Sequence, residues 1–322
     1  MKVGFLGGAN PHALAIARHF ASIGTGCFGI GRGPVKPAPF FLAPAGYRYY
    51  QAHIGKQNGL VFKALDLEKP DMLVNLCAQG EGAASFGAAA WMFYQTNCAY
   101  LAQLVETLRK RDYLQRFIYI GTSELYGSTN EPATEDAPIC ATSPYAISKA
   151  AFDQHLQVVH RVHGFPMNIV RPSNCVTAGM QLHRLVPRAA ICAIYGQKLR
   201  LQGGGAAKKS FLDTEDLAQG LLAVIGKGVI GETYNCGPEY PTMIRGMVEI
   251  VAEETGVYWD NLVNEAPGRT GEDSCYWLDS SRLRALGWEP EITRNAMVKR
   301  VVNWARAYPE VAKMDWQYRV TP

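Results

Sequence analysis

Two short stretches carry the residue types from which proton and hydride chemistry is built. In Ser143-Pro144-Tyr145-Ala146-Ile147-Ser148-Lys149, the phenol and the ammonium stand four residues apart at a helix start, so they share one face. An ammonium beside a phenol lowers the phenol's pKa and favours the phenolate. A phenolate is a suitable base for taking a hydroxyl proton as hydride leaves the same carbon. The second stretch, Gly121-Thr122-Ser123-Glu124-Leu125-Tyr126-Gly127, follows the apolar run 117–120. Its polar residues therefore fall at the C-terminal end of a strand, where ligands bind in open α/β sheets. A bare Tyr-x-x-x-Lys also occurs as a surface helix pair. The polar strand end ahead of it, and the nucleotide-type half before both, set this occurrence apart.

The elements that must position these groups follow from periodicity. Short apolar runs at 3–6, 27–30, 72–76, 117–120 and 167–170 read as strands, separated by helical patterns at 13–22, 92–111 and 146–163. Strands without polar alternation, interleaved with helices, predict a parallel sheet covered on both faces. After Arg171 the rhythm loosens, with helical stretches at 185–195, 214–225, 242–255 and 294–307 between Gly- and Pro-rich loops. The expected architecture is α/β: a doubly wound parallel sheet of Rossmann type over 1–171 plus part of 205–240. A smaller substrate-binding lobe follows, built mainly from 172–322.

The first strand runs into Gly7-Gly8-Ala9-Asn10-Pro11-His12-Ala13. A glycine turn there lets backbone N–H groups and a helix N-terminus face a pyrophosphate. A plain strand–helix turn would read the same way. Asn10 and Ala13 stand where further glycines of such a loop fall; Asn tolerates unusual backbone angles and Ala permits close packing. The second strand ends in Gly31-Arg32-Gly33, without the carboxylate that holds a ribose 2′-OH. An arginine there can pair a 2′-phosphate, which favours NADP, with NAD the alternative.

Composition narrows the classes. The 322 residues are 48% hydrophobic and 19% charged, and the net charge of +4 is too small to argue for nucleic acid. Eight scattered cysteines, none in CxxC spacing, read as reduced thiols rather than disulfides or a zinc site, and no metal is expected. No stretch approaches 18 uncharged apolar residues, so no membrane span is expected. The chain enters its first strand without a signal peptide pattern, and the expected compartment is the cytoplasm.

Taken together, these stretches resemble the extended short-chain dehydrogenase/reductase family, in its nucleotide-sugar epimerase/dehydratase branch. Asn75-Leu76-Cys77-Ala78-Gln79 is similar to the family's N-L-A-A-Q strand end. Tyr94-Gln95-Thr96-Asn97 resembles the stretch carrying its helix asparagine, and Arg171-Pro172-Ser173-Asn174 its R-x-S-N segment. Lys209 to Asp216 resembles the R-D-F-x-x-V-x-D segment, and Cys275 to Leu283 the Y-x-x-D-x-S-K motif. Simple 4-epimerases carry Ser-Ala or similar after the fourth strand, and dTDP-glucose dehydratases Thr-Asp-Glu. The Thr-Ser-Glu here resembles the GDP-mannose 4,6-dehydratase type, as does the second strand.

That resemblance implies a nucleotide-sugar 4,6-dehydratase with catalytic residues Thr122, Ser123, Glu124, Tyr145 and Lys149. Tyr145 would take the 4-OH proton as hydride leaves C4, and Glu124 would remove the C5 proton and assist loss of the 6-OH. The cofactor would lie against Gly7, Asn10, Pro11, His12, Arg32, His53, Ile54, Cys77, Ala78, Gln79 and Asn97, with Tyr145 and Lys149 at its reactive end. Substrate contacts would come from Glu81, Ser85, Asn174, Arg184, Arg188, Lys209 and Arg269. The implied assembly is a homodimer through the helices at 92–111 and 146–163, with a tetramer as the alternative. A decarboxylase, or a C4 or C5 epimerase, on the same scaffold remains open, as does a non-catalytic cofactor-sensing relative. Departures from the family pattern are Asn10, Ala13, His53-Ile54, Glu81 in the slot of a usual His, and Val176-Thr177-Ala178-Gly179.

Overall fold

The computed structural model describes residues 1–35, 40–268 and 273–320. Its centre is a seven-stranded, wholly parallel sheet. The strands are β1 (Lys2–Leu6), β2 (Gly26–Gly31), β3 (Arg48–Gln51), β4 (Met72–Asn75), β5 (Arg116–Ile120), β6 (Met167–Pro172) and an edge strand at Thr233–Cys236. Their order is Thr233–Cys236, β6, β5, β4, β1, β2, β3, so the winding reverses between β1 and β4. A crevice opens at such a reversal, outside the carboxyl ends of the strands. Pairing of Leu6 with both Ile30 and Asn75, and of Ile120 with Val170, brings those ends level.

The helices that frame the sheet and the second core are α1 (Pro11–Ser22), α2 (Asn58–Glu68), α3 (Ala90–Tyr94), α4 (Tyr100–Leu108), α5 (Pro144–His163), α6 (Leu185–Ile194), α7 (Thr214–Lys227), α8 (Ile244–Thr255), and a last long one at Arg294–Ala307. Side chains alternate across each strand. Phe117 and Tyr119 pack with Leu65, Leu104 and Phe152 on the α2, α4 and α5 side. Ile118 and Val3 pack with Ile16, Phe20 and Leu221 on the α1 and α7 side. In the second half, α6, α8 and the helix Arg294–Ala307 enclose a separate core that includes Ile191, Val248, Val251, Val301 and Trp304.

Three local features differ from the sequence reading. The strand β3 and helix α2 were not legible: Arg48-Tyr49-Tyr50-Gln51 is a half-exposed edge, and α2 stops in a left-handed Lys69 (φ 43°) rather than at a glycine. The long helix expected at 92–111 is α3 and α4 joined by a π-helical segment, Gln95–Ala99, that widens the turn around the buried Asn97. Asn10 needs no unusual backbone angle. Its backbone is extended (φ −70°, ψ 136°) and its side chain caps α1, accepting from the His12 N–H at 2.9 Å, with Pro11 in the first turn.

All eight cysteines are free thiols. Among the described residues no group of three or more His, Cys, Asp or Glu side chains is placed to hold a metal ion, and no helix is long and apolar enough to cross a membrane.

Candidate active site

The loop after β5 is fixed from beneath. Thr122 accepts from the Glu124 N–H at 3.3 Å and opens a single 3-10 turn, Ser123–Tyr126. Gly127 then turns the chain with φ 67°, where a Cβ would come within 2.5 Å of the Cys140 carbonyl oxygen, so only glycine fits. The Tyr126 hydroxyl donates to Asn235 Oδ1 at 2.9 Å and accepts from Arg171 Nη1 at 2.6 Å. Arg171 also holds Asp153 of α5 by two bonds, 2.9 and 3.0 Å, both residues being buried. The arginine of the R-x-S-N segment therefore braces the loop and α5 against β6; its neighbour Ser173 faces the cavity.

Ser143 caps α5, accepting from the Ala146 N–H at 3.1 Å, and Pro144 occupies the first turn. One turn on, Tyr145 is hydrogen-bonded to Thr122 and sits edge-on to Phe93 at 6.4 Å. Lys149 Nζ donates to the Ile120 carbonyl at 2.6 Å and lies 4.3 Å from the centre of the Tyr119 ring. This corrects the sequence reading of the pair. Burial, and next the Glu124 carboxylate, push the Tyr145 phenol up, against the Thr122 hydrogen bond and Arg184. Lys149 is itself pulled down to about 7 by burial, which Asp153 and Cys77 oppose. An ammonium that is desolvated and turned towards a carbonyl does not hold the phenol low.

Glu124 is pushed up to about 7, first by burial; Arg184 and Lys209 oppose this, and Glu81 and Asp273 add to it. Its carboxylate packs over Gly82, where a Cβ would lie 3.1 Å from Oε2. A carboxyl poised near neutrality can both take and return a proton.

Thr122, Ser123, Glu124, Tyr145 and Lys149 all line one cavity of about 430 Å³. A second cavity of about 180 Å³ adjoins it over β1, β2 and β4, and Asn10, Leu76 and Ala78 line both. Gly7, Arg32, His53, Ile54, Cys77, Ala78 and Gln79 line the second. Gly7 has φ 78° and sits so close to the Cys77 N–H that a Cβ would lie 3.0 Å from that nitrogen. His12 lines the larger cavity, its Nδ1 2.8 Å from Thr214 Oγ1, and burial together with Arg184 pulls it down to about 4, so the ring is neutral. Two adjoining cavities, one over a glycine turn at a helix N-terminus and one at the phenol, suit a dinucleotide. Pro11 lines neither. Asn97 acts at one remove: its amide accepts from the Gln79 N–H at 2.8 Å and donates to the Gln79 carbonyl at 3.1 Å and Ser148 Oγ at 2.9 Å.

Of the expected substrate residues, Glu81, Asn174, Arg184, Arg188 and Lys209 line the larger cavity. Ser85 does not; it is fully buried and its hydroxyl donates to the Gly82 carbonyl at 2.6 Å. Arg269 lies outside the described residues. Lys209 Nζ donates to the Asp273 carbonyl at 2.7 Å and sits 3.4 Å over the Tyr276 ring. Sequence reasoning missed Asp273, a buried carboxylate at the cavity that accepts from Ser128, Thr142 and Tyr276 at 3.0, 2.7 and 2.7 Å. It also missed the buried Ser173 hydroxyl, which faces the cavity and has no hydrogen-bond partner among the described residues. Ser173 sits inside a motif that was legible; Asp273 has no such signal.

Residues 12–237 match the model of the NAD-dependent epimerase/dehydratase family. The dTDP-glucose 4,6-dehydratase of Haemophilus influenzae is 33% identical over 258 residues, 73% of this chain and 76% of that enzyme. A trifunctional UDP-glucose 4,6-dehydratase/3,5-epimerase/reductase of Arabidopsis thaliana is 26% identical over 276 residues, 84% of this chain and 41% of that longer protein. Among solved structures, a dTDP-glucose 4,6-dehydratase from Streptomyces venezuelae with NAD bound superposes with a TM-score of 0.87 at 25% identity, over 95% of this chain and 97% of that one. A UDP-glucose 4-epimerase from Thermus thermophilus, also with NAD, shares the fold at a TM-score of 0.86 and 22% identity, over 95% of this chain and 99% of that one.

Proposed function

The chain belongs to the NAD-dependent epimerase/dehydratase family, and within it we propose a nucleotide-sugar 4,6-dehydratase whose elimination base is Glu124. The observation that carries this reading is the placement of a carboxyl with a pKa near 7 in the same cavity as the Tyr145–Thr122 pair. Exchange of configuration at C4 needs no such acid; removal of a C5 proton does.

A bound nicotinamide supplies the hydride acceptor for C4 and the donor for C6. Thr122 holds the 4-oxygen and Tyr145 takes its proton. The resulting ketone acidifies the C5 hydrogen, which Glu124 removes. Glu124 then assists departure of the 6-hydroxyl, and the proton taken from C5 leaves with that oxygen as water. As hydride returns to C6, C5 regains a proton, balanced by the one that Tyr145 took from the 4-hydroxyl and gives back through solvent. Ser123, buried in the cavity wall, and Asn174 orient the sugar. Arg188 and Lys209 supply positive charge for a diphosphate. Gly7, Asn10 and the start of α1 face the cofactor's own phosphates, and Arg32 favours NADP over NAD. Exposed apolar side chains on α3 and α5 — Trp91, Tyr94, Ile147, Val158 and Val162 — support a homodimer across these helices.

The test is native mass spectrometry followed by product analysis. The protein should carry NADP(H) and convert a hexose nucleotide to a 4-keto product lighter by one water. A product that retains the 6-hydroxyl would return the reading to an epimerase.

A further inference from the structure

The larger cavity contains an ion cluster that the dehydration mechanism does not use. Glu81, on the loop after β4, places Oε2 3.3 Å from Arg184 Nη1 and 3.3 Å from His183 Nε2. Arg184 spends its other amino nitrogen on the Gly80 carbonyl, on the same loop. Glu81 and Arg184 both line the cavity with Glu124 and Tyr145, and the Glu81 charge acts on both of those groups. The next residue, Gly82, is packed against the Glu124 carboxylate, so Glu81 and Glu124 stand on adjoining parts of the cavity wall.

The consequence concerns the sixth carbon of the sugar. A hexuronate carries a carboxylate there, and a buried carboxylate needs a cation and hydrogen bonds in return for lost water. Arg184 and Lys209 are the cations whose charge acts on Glu124; Arg184 is already paired with Glu81, and Lys209 is committed to the Asp273 carbonyl. A uronate entering here would meet Glu81, Glu124 and Asp273, three carboxylates within one cavity. A neutral CH2OH group meets no such penalty, and its hydroxyl can donate to a carboxylate.

We propose that Glu81, held by Arg184 and His183, fixes the sugar class of this site, admitting hexoses with an uncharged C6 and excluding hexuronates. The proposal rests on the nucleotide-sugar reading of the cavity. It assigns Glu81 as a specificity-determining residue and separates this chain from a decarboxylase through its charge balance rather than through its base.

The experiment uses the full, cofactor-loaded protein and measures binding and turnover of UDP-glucose against UDP-glucuronate, and of dTDP-glucose against dTDP-glucuronate. The neutral sugar should be preferred by at least 100-fold in one of the pairs. Glu81→Gln, which keeps the shape but frees Arg184, should cut that preference at least tenfold by tightening the uronate. Glu81→Ala serves as the second variant, and melting curves establish that each is folded. Equal binding of neutral and uronate sugars by the unaltered protein overturns the proposal while leaving the nucleotide-sugar reading intact. A preference unchanged in both variants, with both sugars weakened alike, overturns it as well, because that is what a merely structural Glu81 would do. Failure of all four ligands to bind sinks the underlying reading too.

Discussion

Replacing Glu124 by Gln should make the protein more stable and useless at elimination, and the two effects share one cause. The carboxyl is pushed from its ordinary 4.5 up to about 7 by burial in the cavity wall. At 1.36 kcal/mol per pKa unit, that climb corresponds to about 3.4 kcal/mol as a ceiling, and to about 1–2 kcal/mol once solvent reaching the cavity is allowed for. The sign follows from proton uptake. Between pH 4.5 and 7 the folded chain keeps a proton on Glu124 that the unfolded chain has released. Stability contributed by that proton is therefore present at low pH and lost as pH rises through about 7. Gln carries no charge to desolvate, so the variant should unfold a few °C higher at pH 8 and nearly level with the parent at pH 4.5. In the same preparation, single-turnover experiments should show nicotinamide reduction by the sugar preserved. Release of the 4-keto-6-deoxy product should fall about 10²–10⁴-fold. Melting temperatures that do not diverge between low and high pH, or product release at the parent rate, would refute the reasoning.

Three further outcomes are expected. Tyr145→Phe should lose about 10²–10⁴-fold in kcat with little change in nucleotide-sugar binding, measured by steady-state kinetics alongside equilibrium titration, since only the hydroxyl bonded to Thr122 is removed. Arg171→Met should cost about 3–5 kcal/mol in denaturant unfolding because it leaves the Asp153 carboxylate buried and unpaired, and adding Asp153→Leu should recover much of that loss. Tyr318→Phe removes the hydroxyl that accepts from the Gly80 N–H at 3.1 Å and donates to Gln79 Oε1 at 2.7 Å. It should raise KM several-fold and leave kcat near the parent value, because it loosens the loop between the two cavities without touching Tyr145 or Glu124.

What the sequence made legible, and what it hid, divides along a physical line. Groups set by local spacing were readable: Tyr145 and Lys149 four apart on α5, the polar strand end at Thr122 to Glu124, and the glycine turn after β1. Groups whose role depends on long-range approach were not. Asp273 reaches the cavity from a loop more than 100 residues after Glu124, and it is recognisable only once Thr142, Ser128 and Tyr276 close around it. Asn97 matched its motif, yet its amide holds the Gln79 backbone from inside a π-helical turn that no 3.6-residue periodicity encodes. Ser85 matched too, but its hydroxyl is consumed by Gly82 within its own turn. Spacing reports which residues can share a face. It does not report which of them the fold turns inward.

Ionised Glu124 raises the phenol, so the phenolate must form against that charge. Removing the hydroxyl proton is easiest with Glu124 protonated, whereas removing the C5 proton needs it ionised. A carboxyl near pH 7 serves both demands, because either state is reachable at neutrality. Glu124→Gln fixes the site in its uncharged form and relieves the phenol of that repulsion. The pH at which single-turnover hydride transfer sets in should then move lower than in the parent, even as the overall reaction fails. An onset that stays in place or moves higher would show that burial alone governs Tyr145, and that the carboxyl and the phenol do not act on one another.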